Sequence, residues 1–242
     1  MLKLVSFLLL TPSFAIPLSA QSVAGIEVGD PPTLLDKLNL KAVAHVTQGS
    51  TDSTKYVLPN GDELSVTSDS QAKKIVYVEH DWSRGSANTP ADFPGFTFGV
   101  TTLEEIRKVT HSNGFTYRRN AMGAAAGEFF TFNAYTLANK PDLVVVFVTA
   151  FNVSEVRNAL GGRNPSRDEM ARYLKLDGLI LAREDYLDQL WGVEKVSDPE
   201  NKPIAWAAVQ PTAKASHWQR RAESDANLKW SSSGVVSRSP SS

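Results

Sequence analysis

The chain reads as an α+β protein, an antiparallel β-sheet with helices packed on one face and a disordered C-terminal tail. Three observations predict this class. Residues 55–67 alternate apolar and polar side chains around Pro59-Asn60-Gly61-Asp62, the signature of a β-hairpin, because Asn-Gly supplies the positive φ values a tight turn requires. Leu143 to Thr149 is apolar at nearly every position, which marks a central strand covered on both sides. Thr102-x-x-Glu105 and Ser166-x-x-Glu169 have the form of capping boxes, which start helices.

The elements follow in chain order. Lys3, the apolar run Leu4–Leu10, the breaks at Pro12 and Pro17 and the small residues up to Ala20 form a signal peptide of residues 1–20. Cleavage after Ala20 leaves 222 of the 242 residues and a net charge of −2, since Lys3 is the single charged residue removed. Residues 21–50 read as a lead-in, flexible as far as Pro31-Pro32, with a short helix over 34–40. The globular α+β domain spans 51–205. Within it, 55–58, 63–67 and 73–82 are strands and 83–95 is a loop. Thr102 opens a helix that Asn113-Gly114 can stop. Strands follow at 115–119, 128–135 and 143–149, with a turn at 138–142. From Ser166 a helical apolar pattern runs through Met170, Leu174, Ile180, Leu187 and Trp191 to Gly192, with Gly178 as a bend or restart. Residues 206–242 form the disordered tail, ending in SSSGVVSRSPSS. No repeat of short fixed period is visible.

Composition narrows the function. There are 25 Lys and Arg against 26 Asp and Glu, so no excess charge calls for nucleic acid, despite basic-aromatic clusters at Tyr117-Arg118-Arg119 and Trp218-Gln-Arg220-Arg221. The absence of cysteine excludes disulfides, thiol catalysis and thiolate metal sites, and suits an exported protein of the bacterial periplasm or extracellular space. No apolar run reaches the length of a transmembrane helix. Gly-rich phosphate loops, the G-x-S-x-G elbow and zinc-type histidine spacings are all missing, so no cofactor is expected.

Two clusters carry candidate chemistry. Glu79-His80-Asp81 ends a strand, with the acids on one face and His80 on the other, and is the candidate catalytic group. On a continuous helix, Glu184 and Asp188 lie four residues apart, with Asp177 two turns away and Asp185 beside them; Glu184 and Asp188 are the candidate ligands of a hard cation. Both clusters also read as solvated polar surface, and no metal is expected. Phe96 and Phe98 fasten the incoming chain to the core, while 93-FPG-95 and the loop before it remain candidate binding surface.

The run Phe98-Gly99-Val-Thr101-Thr102-Leu-Glu-Glu105-Ile106, a glycine followed by a threonine-capped helix and then strands, resembles envelope domains of the SmpA/OmlA (outer-membrane assembly lipoprotein) type over residues 96–150. The resemblance implies a helix followed by a three-stranded antiparallel sheet and no catalytic residues. The lipid-attachment cysteine of that family is missing here, so membrane anchoring is not implied. The expectation is an exported, non-catalytic protein that binds a small ligand or another envelope protein. The alternative is a hydrolase or other enzyme acting through Glu79, His80 and Asp81 or the helix carboxylates. Oligomeric state stays open.

Overall fold

The computed structural model describes residues 21–84 and 88–206. The stretch 1–20 read as a signal peptide, and the expected tail from 207 onward, lie outside the described residues. The α+β antiparallel architecture is the one the chain adopts. Ten strands form one sheet: β3 (Lys41–Gln48), β4 (Thr51–Val57), β5 (Glu63–Asp69), β6 (Lys74–Asp81), β7 (Phe115–Tyr117), β8 (Met122–Ala125), β9 (Glu128–Leu137), β10 (Lys140–Asn152), β11 (Lys175–Arg183) and β12 (Lys195–Ser197). Their spatial order is β12-β7-β9-β10-β11-β6-β5-β4-β3, with β8 also paired to β9. A separate two-stranded hairpin, β1 (Ser22–Val23) and β2 (Ile26–Glu27), precedes a 3-10 turn over Pro32–Lys37. Among the described residues four α-helices complete the fold: α1 (Leu103–Thr110), α2 (Val153–Ala159), α3 (Arg167–Tyr173) and α4 (Glu184–Trp191).

The sheet is built from two equivalent halves. At its centre β6 and β11 pair antiparallel, with Tyr77 opposite Ala182, Glu79 opposite Ile180 and Asp81 opposite Gly178. Exchanging Tyr77 with Gly178 and Asp81 with Ala182 maps this ladder onto itself, a pseudo-two-fold axis through Glu79 and Ile180. The outer ladders obey the same axis. β5–β6 skips Val76 between the pairs Thr67–Tyr77 and Ser68–Ile75, and β10–β11 skips Asp177 between Val148–Gly178 and Thr149–Leu176. Ahead of each meander, Ile26-Glu-Val-Gly29 and Phe96-Thr-Phe-Gly99 deliver a glycine N–H to the central strand, to the carbonyls of Ile75 at 2.8 Å and Leu176 at 2.7 Å. Both glycines have positive φ, +104° and +71°, where an L side chain is strained. A Cβ at Gly99 would also clash with the Trp82 ring.

Strand parity assigns the two faces. One face carries Leu64, Val66, Val78, Tyr135, Val145, Phe147, Leu179 and Leu181, and Phe93, Phe96, Phe98 and Ile106 of α1 pack on it. The opposite face carries Tyr77, Val144, Val146, Ile180 and Ala182 beneath Leu187 of α4. The apolar run 143–149 is therefore buried on both sides, as a central strand must be.

Five readings change. The helix read from Ser166 to Trp191 is interrupted: α3 ends at Tyr173, and Lys175–Arg183 is the central strand β11. Leu176 and the run Leu179–Ala182 are apolar on both faces, and at this length periodicity does not separate a buried strand from a buried helix. Gly178 belongs to that strand, where a Cβ would meet Asp81 Oδ1 at 3.0 Å and Val148 Cβ at 3.3 Å. Residues 21–33 are not a loose lead-in, since Val23 and Ile26 are fully buried and anchor β1–β2 on the core. Lys41–Gln48, unassigned from sequence, is an edge strand. Phe93 is not binding surface; it is buried and stacks on Phe96 at 4.9 Å and tilts against Trp206 at 5.1 Å. Trp206 thus belongs to the fold, one residue beyond the expected domain end.

Candidate ligand-binding site

His80 lies in an otherwise apolar row, Tyr56–Leu64–His80–Leu179–Phe147, because its place on β6 points it into the core. Burial there requires partners for both ring nitrogens. Nδ1 meets Asp92 Oδ2 at 2.9 Å and Nε2 meets Asp62 Oδ2 at 3.1 Å. The Asp62 carboxylate is fully buried and also accepts from Asn60 Nδ2 at 2.7 Å and Ser83 N–H at 2.7 Å. Asp92 Oδ1 accepts from the Ala24 N–H at 3.0 Å. The network ties the 58–62 turn, the 83–98 loop and the β1–β2 hairpin together. With both nitrogens engaged by carboxylates, His80 is a structural imidazolium rather than a base with a free lone pair.

Glu79 and Asp81 share the other face, as strand parity predicts. Glu79 Oε2 accepts from the Tyr77 hydroxyl at 2.8 Å, and Glu63, opposite Asp81, pairs with Lys55 at 2.7 Å. Burial first, and then the neighbouring Glu79 charge, pushes Asp81 up to about 7; burial likewise raises Glu79. At His80 burial acts downward, but the hydrogen bonds and charges of Asp92 and Asp62 outweigh it and raise the pKa. Both groups therefore bind a proton more tightly folded than unfolded. Asp81 contributes stability that is lost as pH rises from the carboxylate range through about 7, and His80 contributes stability lost from about 6.5 upward. The melting temperature is expected to fall steadily from pH 6 to pH 8.5, and Asp81→Asn is expected to flatten the lower part of that decline. A melting temperature that rises over this interval would contradict the assignment.

Glu184 and Asp188 do lie together on α4, and the cation between them is the Lys195 ammonium, 2.6 Å from Glu184 and 2.9 Å from Asp188. That ammonium also rests over the Tyr117 ring at 5.2 Å. Asp177 is not in line with them; it sits at the β11 bulge and holds Arg84 through two hydrogen bonds of 2.9 Å. Asp185 pairs with Arg183. Among the described residues no group of three or more His, Asp or Glu side chains is placed to hold a metal ion.

A cavity of about 580 Å³ opens instead between α1, α3 and the β7–β9 end of the sheet. The capping boxes at Thr102 and Ser166 start the two helices that roof it, and Leu103 N–H donates to Leu174 O at 2.8 Å, joining them. Arg172 Nε bonds Glu104 on the outer side at 3.1 Å. Leu103, Phe115, Phe129, Met170 and Leu174 give it apolar walls. Its floor is polar: Asn133 Nδ2 donates to Thr131 Oγ1 at 2.8 Å, and Thr131 Oγ1 meets Thr149 Oγ1 at 2.9 Å. Met122 and Val196, 65% and 51% exposed, form part of the rim. Arg107 enters from α1. It stands on the helix's inward stripe, Leu103, Ile106, Arg107 and Thr110, spaced i, i+3, i+4 and i+7. That charge within an apolar stripe was the sequence signal that could have disclosed the site. A second cavity of about 440 Å³ lies beside Trp82, where Arg84 is already held by Asp177 and Glu128.

No protein-family model matches the chain, and no curated protein sequence does. Among solved structures, a cysteine-rich secretory protein from Staphylococcus aureus is similar at 13% identity and a TM-score of 0.43, over 87% of this chain and 63% of that one. The chain thus spans less than two thirds of that protein's length.

Proposed function

We propose that this is an exported, non-catalytic binding protein of the bacterial envelope or extracellular space, and that the cavity under α1 and α3 takes a small amphipathic ligand. The observation that carries the reading is the cavity itself: apolar walls over a polar floor, at a volume typical of small-molecule sites. The signal-peptide pattern of residues 1–20 supports export. The likeness to SmpA/OmlA-type envelope domains belongs to the same proposal; α1 followed by antiparallel strands agrees with it.

Fluorescence of the neutral apolar dye N-phenyl-1-naphthylamine tests the reading. Saturable enhancement is expected with the protein, lost in Thr116→Trp, which fills the cavity from β7 where Thr116 is half-buried. No saturable enhancement, or enhancement indifferent to Thr116→Trp in a protein that still unfolds cooperatively, refutes it.

One observation favours a second reading. Glu79 and Asp81 stand two residues apart on one face of β6, and burial with the Glu79 charge pushes Asp81 up to about 7, the range that acid–base work near neutrality uses. Hydrolysis of a generic ester or peptide library that disappears in Asp81→Asn would establish an enzyme; without it the carboxylates are structural.

A further inference from the structure

The cavity contains a cation that no described carboxylate pairs with. Arg107 lines it, and among the described residues no carboxylate forms an ion pair with its guanidinium. Its Nε is buried and donates to no acceptor. Directly behind Gly114 lies Tyr135, fully buried, whose hydroxyl also has no acceptor. Burial pushes that hydroxyl up to about 12 against the pull of the neighbouring Arg107. The guanidinium thus faces the phenol oxygen, which can accept from it, while the phenol proton and Arg107 Nε have no acceptor, beside a largely apolar chamber. Two buried donors without an acceptor are costly to keep unless a ligand supplies one. The carboxylate on the rim, Asp198, is already engaged, accepting from Asn113 Nδ2 at 3.0 Å and from the Glu200 N–H at 3.4 Å.

We infer that the ligand is a single-chain anionic amphiphile, its apolar body between Leu103, Phe129, Met170 and Leu174 and its anionic head on Arg107. The inference rests on the cavity reading above and adds the charge of the ligand. An oxyanion matches the planar donors of a guanidinium, and the half-apolar surroundings strengthen that attraction relative to water. A cationic or neutral head would leave Arg107 uncompensated beside it.

Three probes of equal chain length separate the two claims: decanoate, decanol and decyltrimethylammonium, each titrated at neutral pH as displacers of N-phenyl-1-naphthylamine from the full chain. Decanoate is expected to bind at least tenfold more tightly than decanol, and decyltrimethylammonium most weakly. Arg107→Met is expected to reduce decanoate affinity about tenfold or more and decanol affinity far less. Asp198→Asn is expected to tighten decanoate by removing the competing rim charge. If decanol matches decanoate in the native protein, the cavity reading stands and the anionic inference falls. If no probe displaces dye, both fall. If Arg107→Met weakens all three probes alike, Arg107 is a wall and not a reader of charge. Should Arg107→Met fail to fold, the native ranking and Asp198→Asn still decide.

Discussion

Replacing Asp62 with alanine is expected to lower the free energy of unfolding by about 3–5 kcal/mol, the range found when one partner of a buried charged pair is removed. The Asp62 side chain is fully buried, and its carboxylate satisfies the His80 ring, the Asn60 amide and the Ser83 N–H at once. Its loss leaves Nε2 of the buried His80 ring unpaired, with Asp92 the one remaining carboxylate partner, inside the row Leu64–His80–Leu179, and unties the 58–62 turn from the 83–98 loop. Urea unfolding followed by circular dichroism measures the change. A loss below about 1 kcal/mol would show that His80 is neutral and that the network contributes only ordinary hydrogen bonds. Leucine at position 80 in the Asp62→Ala background is expected to recover part of the loss, since an apolar side chain suits the row once the carboxylate is gone.

The second large effect is expected at Phe147. It is fully buried at the middle of β10 and meets Phe93 at 5.1 Å, Phe96 at 5.5 Å and Tyr135 at 5.4 Å, in edge-to-face geometry each time. Phe147→Ala removes the ring on which the 93–98 loop seats, and about 3–5 kcal/mol is the customary cost of such a truncation. Because Phe93 also bears on Trp206, the loss reaches the C-terminal end of the fold. Proteolysis after Trp206 is therefore expected to accelerate in the variant along with the drop in urea midpoint. A loss under about 1.5 kcal/mol would mean the loop and the ends of the chain repack around the void.

These two predictions come from contacts of very different legibility. The hairpin at 55–67 and both capping boxes could be read from residues alone because they are local: the turn residues and the cap side chains satisfy backbone groups within a few positions. The strand at 143–149 was equally legible, since burial on both faces leaves an unbroken apolar run. The segment 175–183 was not, because the same kind of run followed a genuine helix start and fitted helical spacing as well. Its identity is settled by two neighbours distant in sequence, β6 and β10, whose ladders it completes.

The internal symmetry was hidden for a related reason. Strand β6 reads Tyr-Val-Glu-His-Asp where β11 reads Gly-Leu-Ile-Leu-Ala. What the halves share is hydrogen-bond register, two skipped residues and two glycine N–H contacts, all properties of the backbone. Backbone geometry tolerates almost any side chain that suits its burial, so such a repeat leaves little trace in residue identity.

The candidate site shows the same division. The alternation of Glu79, His80 and Asp81 across the strand was legible, but their roles were not, because Asp62 and Asp92 reach His80 from loops 18 and 12 residues away. The pairing of Glu184 with Asp188 on one helical face was legible, while the ammonium that occupies it arrives from Lys195 on another strand. Of the cavity the residues carry one hint, Arg107 within the apolar stripe of α1; its walls are a gap between two helices and a sheet edge, made by segments from 103 to 199. By itself, then, the sequence determined the class, the local starts and stops and the alternation of faces, each governed by interactions a few residues long. The tertiary structure alone decided the identity of β11, the pairing of the two halves and the placing of a half-buried arginine at a cavity with no ion-pair partner among the described residues, because each depends on which distant surfaces meet.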